Sequence, residues 1–97
     1  MDLGLKDKCA LVMASSSGLG KAIATEFARE GARVMLFSRS EEELRQAQQD
    51  IFEETGNRPA FFPGSITNAG DIRKLVETTV EMFGSIYALV NNTGGPP

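Results

Sequence analysis

A chain of 97 residues has room for one hydrophobic core, and 41% hydrophobic with 24% charged residues is the balance of an ordered unit, not a disordered one. With a formal net charge of -3 and no Lys/Arg cluster, it lacks the electrostatic footprint of a nucleic-acid or anionic-membrane binder, so neither is an expected partner. One cysteine and no histidine leave neither an intrachain disulfide nor a Cys/His metal cluster.

The chain opens with an early acid, Asp2, and no stretch approaches the roughly 18 apolar residues of a membrane span, so cytoplasmic residence is the default expectation. The apolar run between Lys8 and Ala14 predicts a first strand buried on both faces of a parallel sheet, with Cys9 a small buried hydrophobe on it. Ser15 to Gly20 interrupts the run. Leu19, Ile23 and Phe27 then recur every four residues, with Ala24 and Ala28 beside them, and predict a helix that Gly31 ends. Arg33 to Ser38 reads as a second buried strand. Ser40 with Glu43 forms a capping box for a second helix, whose inner face is Leu44, Ala47 and Ile51 and whose end is Gly56. Pro59 and Pro63 bracket a short third strand at Ala60 to Phe62. Asn68 caps a third helix with Asp71 in its first turn, and Ile72, Leu75, Val76, Thr79, Val80 and Phe83 line one face up to Gly84. Ile86 to Val90 is the fourth buried strand, with Tyr87 read as core.

Apolar strands alternating with amphipathic helices predict right-handed crossovers and a doubly wound α/β fold: a parallel, Rossmann-like βαβαβαβ unit with sheet order 3-2-1-4. Ligands of such sheets bind outside the carboxyl ends of the strands, at the switch point between strands 1 and 4. The loop Ser15-Ser16-Ser17-Gly18-Leu19-Gly20 falls at that edge. There a helix N-terminus offers backbone N–H groups and partial positive charge to a diphosphate, Gly18 and Gly20 permit close approach, and the three serines add hydroxyl donors. Two other phosphate loops fail. A triphosphate loop ending Gly20-Lys21 needs glycine at 15 and a hydroxyl at 22, where Ser15 and Ala22 stand, and no three glycines have the GxGxxG spacing.

What remains resembles the short-chain dehydrogenase/reductase family, whose glycine motif is TGxxxGxG and whose fourth strand ends in NNAG. Gly18 and Gly20 match the second and third glycines, and Asn91, Asn92, Thr93 and Gly94 match NNAG with Thr in place of Ala. Met13 and Ala14 stand where the family has Thr-Gly. Ala14 is small enough for the loop to keep its path, although a backbone angle open only to glycine would be forbidden there. The resemblance runs from about Leu5 to Gly95. It implies that backbone at Gly18 and Leu19 approaches the pyrophosphate, and that Asn91 to Gly94 supports the sheet beside the adenosine.

The second strand selects the cofactor. An acid at its end binds the ribose hydroxyls of NAD, whereas an arginine accommodates the 2'-phosphate of NADP. Here it ends Ser38-Arg39-Ser40, with no acid at the discriminating place and a guanidinium able to hold phosphate bidentately. The plainer alternative makes Arg39 a solvated charge ahead of Glu41, Glu42 and Glu43, and Ser40 only a cap. NADP(H) is the expected cofactor. Where the family commonly has an Asp that accepts from the adenine amino group, this chain has Ser65 followed by Ile66.

The resemblance further implies hydride transfer between nicotinamide and a small carbonyl or alcohol, of the 3-oxoacyl reductase kind, and a homo-oligomer is the expected assembly. The family's Tyr, Lys and Ser catalysts follow strand 4. Tyr87 has Asn91 rather than Lys four residues on, so residues 1–97 are expected to form the N-terminal dinucleotide-binding part of one Rossmann domain. They are expected to carry no catalytic residues and to be inactive alone. A non-catalytic dinucleotide-sensing module is the competing reading. A flavodoxin-like or receiver domain lacks the flavin-type phosphate loop or the paired acids.

Overall fold

The computed structural model describes residues 4–91. Its centre is made by two strands whose side chains are almost all apolar and buried: β1 (Cys9–Met13) and β2 (Arg33–Ser38). They run parallel, with Cys9 opposite Arg33 and Met13 opposite Phe37. β3 (Ala60–Pro63) adds to the outer side of β2, from Met35 opposite Ala60 to Ser38 opposite Pro63. β4 (Ala88–Val90) adds in parallel to β1, giving the sheet order β3-β2-β1-β4. A parallel sheet needs crossovers, and three helices supply them: α1 (Gly18–Arg29), α2 (Glu41–Thr55) and α3 (Ala69–Phe83).

The pleat of β2 divides the core. Val34 and Leu36 face α1 and α2, joining Val12, Ala24, Ala28, Leu44, Ala47 and Ile51, while Met35 and Phe37 face the other way, with Leu11, Met13 and Leu75 of α3. This is the doubly wound arrangement expected from the alternation of elements. α2 and α3 begin at the capping side chains the sequence indicates: Ser40 Oγ accepts from the Glu43 N–H at 3.2 Å and Asn68 Oδ1 from the Asp71 N–H at 3.0 Å. α2 ends at Gly56 in the left-handed conformation. The Asn57 side chain then donates to the carbonyls of Ala28 and Ala32 at 3.1 and 2.8 Å, satisfying acceptors at the end of α1 and tying the two crossovers together.

Two expectations are corrected. The buried stripe of α1 is Gly20, Ala24 and Ala28, one position on from Leu19, Ile23 and Phe27, and Leu19 is 66% exposed. Small residues let the helix axis lie close to the sheet, and the larger ones are displaced to its flank. β4 is only three residues long and is not buried on both faces: Leu89 is exposed, and Tyr87 is a surface residue rather than core, with the Lys8 ammonium 5.2 Å from its ring centroid. It lies at the edge of the sheet, with Ala88 and Val90 half-buried and Val90 packed against the core on the α1 and α2 side. Among the described residues no helix is long and apolar enough to cross a membrane, and no group of acidic or sulfur ligands is placed to hold a metal.

Candidate functional site

The site is built where β1 stops. Ala14 turns the chain with a positive φ of 53°, a conformation that L-residues rarely hold, so an alanine adopts the angle expected to be barred to it. That turn swings Ser15 inward. Ser15 is fully buried; its Oγ accepts from the Phe37 N–H at 2.9 Å and its own N–H donates to the Phe37 carbonyl at 3.1 Å. The hydroxyl thus takes over the role of a ladder carbonyl at the tip of β2. The expectation that it would be a phosphate donor is corrected, because it has no access to a ligand.

Ser16 and Ser17 continue across the strand tips. Ser16 Oγ lies 3.0 Å from Ser38 Oγ, which joins the loop after β1 to the end of β2. Ser17 is the N-cap residue of α1, yet its side chain makes no capping hydrogen bond, and the first turn holds no acid. Gly18 follows with a φ of 59° and nothing within 4 Å of the position a Cβ would take, so glycine is favoured there by the backbone angle and not by crowding. The opening turn of α1 therefore has neither a side-chain cap nor an acid set against its backbone donors and the positive end of the helix dipole, whereas α2 and α3 satisfy theirs with side chains.

Beside this turn a cleft of about 370 Å³ opens at the carboxyl ends of β1, β2 and β3, lined by Ala14, Phe37, Ser38, Arg39 and the loop Gly64 to Thr67. The structure thus brings Ser38, Arg39, Ser65 and Ile66 together, with Ser16 attached through Ser38. Arg39 is exposed and, among the described residues, forms no ion pair, although Glu41, Glu42 and Glu43 follow it. Arg29, Arg45 and Lys21, by contrast, are each held by carboxylates. Ser65 Oγ is 2.8 Å from Thr67 Oγ1, and its N–H donates to Asp71 Oδ2 at 2.9 Å, so α3 fixes this wall. Ser40 caps α2 and does not line the cleft, and Gly20 is buried on the inner stripe of α1. Asn91 is exposed at the end of β4, while Asn92, Thr93 and Gly94 lie outside the described residues.

Four cleft residues carried no functional assignment at sequence level: Ala14, Phe37, Gly64 and Thr67. Gly64 is the most constrained. Its N–H donates to the Ser38 carbonyl at 2.8 Å, and an added Cβ would come within 2.9 Å of Phe37 Cε1. Its place immediately after Pro63 at a strand end was the available signal. A roomier groove of about 670 Å³ lies elsewhere, on the flank of α1 between Leu5, Leu19, Ile23 and Phe27. The rest of its lining is Ala22 and the charged residues Glu26, Arg29 and Glu30, and none of it comes from the strands.

A parallel sheet ordered 3-2-1-4, with a helix N-terminus and a basic cleft at its carboxyl edge, defines the class of doubly wound nucleotide-binding domains. The sequence profile of the short chain dehydrogenases matches residues 8–97, and the chain belongs to that family. It is 37% identical over 90 residues to the dehydrogenase/reductase SDR family member 4 of Caenorhabditis elegans, covering 93% of this chain and 35% of that protein. It is 36% identical over 92 residues to the (2S)-[(R)-hydroxy(phenyl)methyl]succinyl-CoA dehydrogenase subunit BbsD of Thauera aromatica, covering 95% and 37%. Among solved structures, the L-sorbose reductase of Gluconobacter frateurii, complexed with NADPH and L-sorbose, superimposes with a TM-score of 0.93 at 35% identity, over all of this chain and 37% of that one. A short chain dehydrogenase of Shigella flexneri complexed with NADP gives 0.85 at 33% identity, over 94% and 39%. The chain thus spans little more than a third of the length of these relatives.

Proposed function

We propose that residues 1–97 are the NADP(H)-binding portion of a short-chain oxidoreductase that transfers hydride between the nicotinamide and a small carbonyl or alcohol, of the 3-oxoacyl reductase kind. The observation that carries the cofactor choice is Arg39: a cation at the tip of β2 without a carboxylate partner among the described residues, next to the Ser16–Ser38 hydroxyl pair. A carboxylate there would repel a 2'-phosphate, whereas the guanidinium fork binds one bidentately. The relatives solved with NADPH and NADP support the same reading.

The residues present fit such a dinucleotide. The uncapped turn at Ser17 to Gly20 offers N–H donors to the diphosphate, Ser16, Ser38 and Arg39 take the 2'-phosphate, and Ser65 and Ile66 border the adenine. When bound, the dinucleotide supplies the hydride. This chain's own residues bind and orient its adenosine and diphosphate end. The lining of the described cleft holds no tyrosine, lysine or carboxylate, so these residues bind the dinucleotide and are given no part in proton transfer. The expected setting is a cytoplasmic homo-oligomer.

Titration of the protein with NADPH and NADH tests the proposal. Hydrogen bonds to charged groups contribute about 1.5–3 kcal/mol, so Arg39→Ala is expected to weaken NADPH about ten- to a hundredfold and leave NADH nearly unchanged. Equal losses for both cofactors would refute the assignment.

A further inference from the structure

Gly64 owes its place to crowding, where Gly18 owes its own to a backbone angle. Its φ is not positive, so the backbone admits an alanine. A Cβ there would nevertheless meet Phe37 Cε1 at 2.9 Å, Asp71 Cβ at 3.1 Å and Phe37 Cζ at 3.2 Å. Neither neighbour is free to yield. The Phe37 ring is 1% exposed and packed with Leu11, Met13, Met35 and Leu75. Asp71 is held in the first turn of α3, where its N–H donates to Asn68 Oδ1 and its carboxylate accepts from the Ser65 N–H. An added Cβ would therefore push the chain at Gly64 off the ring, lengthening the 2.8 Å hydrogen bond from its N–H to the Ser38 carbonyl. That bond ties the wall formed by Gly64 to Thr67 to the tip of β2, where Ser38 and Arg39 stand.

We infer that Gly64 is a positioning residue for the dinucleotide: its lack of a side chain lets the wall close on the Phe37 ring, and the pair sets the width of the cleft. This inference rests on the cofactor reading given above and adds to it a determinant that touches no phosphate. Arg39 distinguishes the two cofactors by charge, whereas the width of the cleft acts on the part they share. Gly64 therefore governs affinity for NADPH and NADH alike, and does so through Phe37.

The test is a double-variant cycle of wild type, Gly64→Ala, Phe37→Leu and both together. Each protein is titrated with NADPH, NADH and adenosine 2',5'-bisphosphate well below its own unfolding midpoint. There a variant that is only less stable is still folded and keeps the wild-type Kd, so a changed Kd reports the site. Gly64→Ala is expected to weaken all three ligands about tenfold and to leave the NADPH-to-NADH ratio unchanged. Phe37→Leu, which withdraws the floor from under the wall, is expected to weaken them about threefold. Leucine lacks the ring atoms that the Cβ would meet, so only the approach to Asp71 remains. In the Phe37→Leu background the Gly64→Ala step is therefore expected to cost less than about threefold. Wild-type affinity in Gly64→Ala, or an equal loss in both backgrounds, overturns the inference and leaves the cofactor reading standing. Wild-type affinity in Phe37→Leu does the same, even if Gly64→Ala fails to fold. Wild type that binds neither NADPH nor adenosine 2',5'-bisphosphate overturns the cofactor reading, and this inference with it.

Discussion

Ser15 shows how far a residue type can be read before its direction is known. A serine in a glycine-rich turn after a buried strand suggests a phosphate donor, and at Ser16 and Ser38 the hydroxyls do stand at the strand tips. Ser15 instead turns inward because Ala14 takes a positive φ, and nothing in the residue letters announces that angle. Ser15→Ala is expected to lower stability by about 1–3 kcal/mol, since it leaves the Phe37 N–H buried without its acceptor. Denaturant titration measures this, and a midpoint equal to wild type would show that the clasp is dispensable. Arg39 was legible for the opposite reason: its meaning depends on its place after β2 and on the missing acid, both visible in the sequence. Gly64 was not, because the Phe37 ring that crowds it arrives from a strand far away in the chain. Cys9 behaves as read. It is buried on β1, and burial raises its thiol pKa more than nearby Arg33 lowers it, so it is a poor nucleophile in the folded protein.

Elements were read best where a local device marks them. The Ser40 and Asn68 caps, Gly56 and the continuous apolar run of β2 all act over a few residues, and their helices and strand fall where the sequence puts them. The face of α1 was harder. Leu19, Ile23, Phe27 and Gly20, Ala24, Ala28 share the same four-residue spacing, and choosing between them requires knowing that the sheet lies close enough to admit only small residues. Between helices, Lys21 Nζ meets Asp50 Oδ2 at 2.6 Å, joining the start of α1 to α2. Hydrogen bonds from Lys21 first and Gln46 second hold the Asp50 carboxyl below its ordinary range. A depressed folded pKa gives stability that is present above the unfolded value and lost as pH falls through the folded one. The melting-temperature gap between wild type and Asp50→Asn is therefore expected at neutral pH and should close on acidification below the usual carboxylate range. The pair is partly exposed, so the gap is small and shrinks with salt. A gap that persists or widens in acid would show that the ion pair is not its source.

For the whole molecule, the alternation of elements sufficed to give the sheet order, because right-handed crossovers leave few alternatives. It did not give the depth of burial of β4, which depends on what else covers that edge. In the described residues Leu89 and Tyr87 are exposed there, and Val76, Val80 and Leu19 add apolar surface on the helices. Residues 1–97 produced alone are therefore expected to self-associate as concentration rises, and Leu89→Lys should reduce this. Sedimentation analysis decides, since a monodisperse monomer at high concentration contradicts the expectation. The fold has one further consequence. Phe37 is a fully buried member of the α3-side core and at the same time the floor of the cleft. An occupant of the cleft therefore rests directly on the packed interior, so filling it is expected to slow amide exchange in β2 as well as in the binding loops.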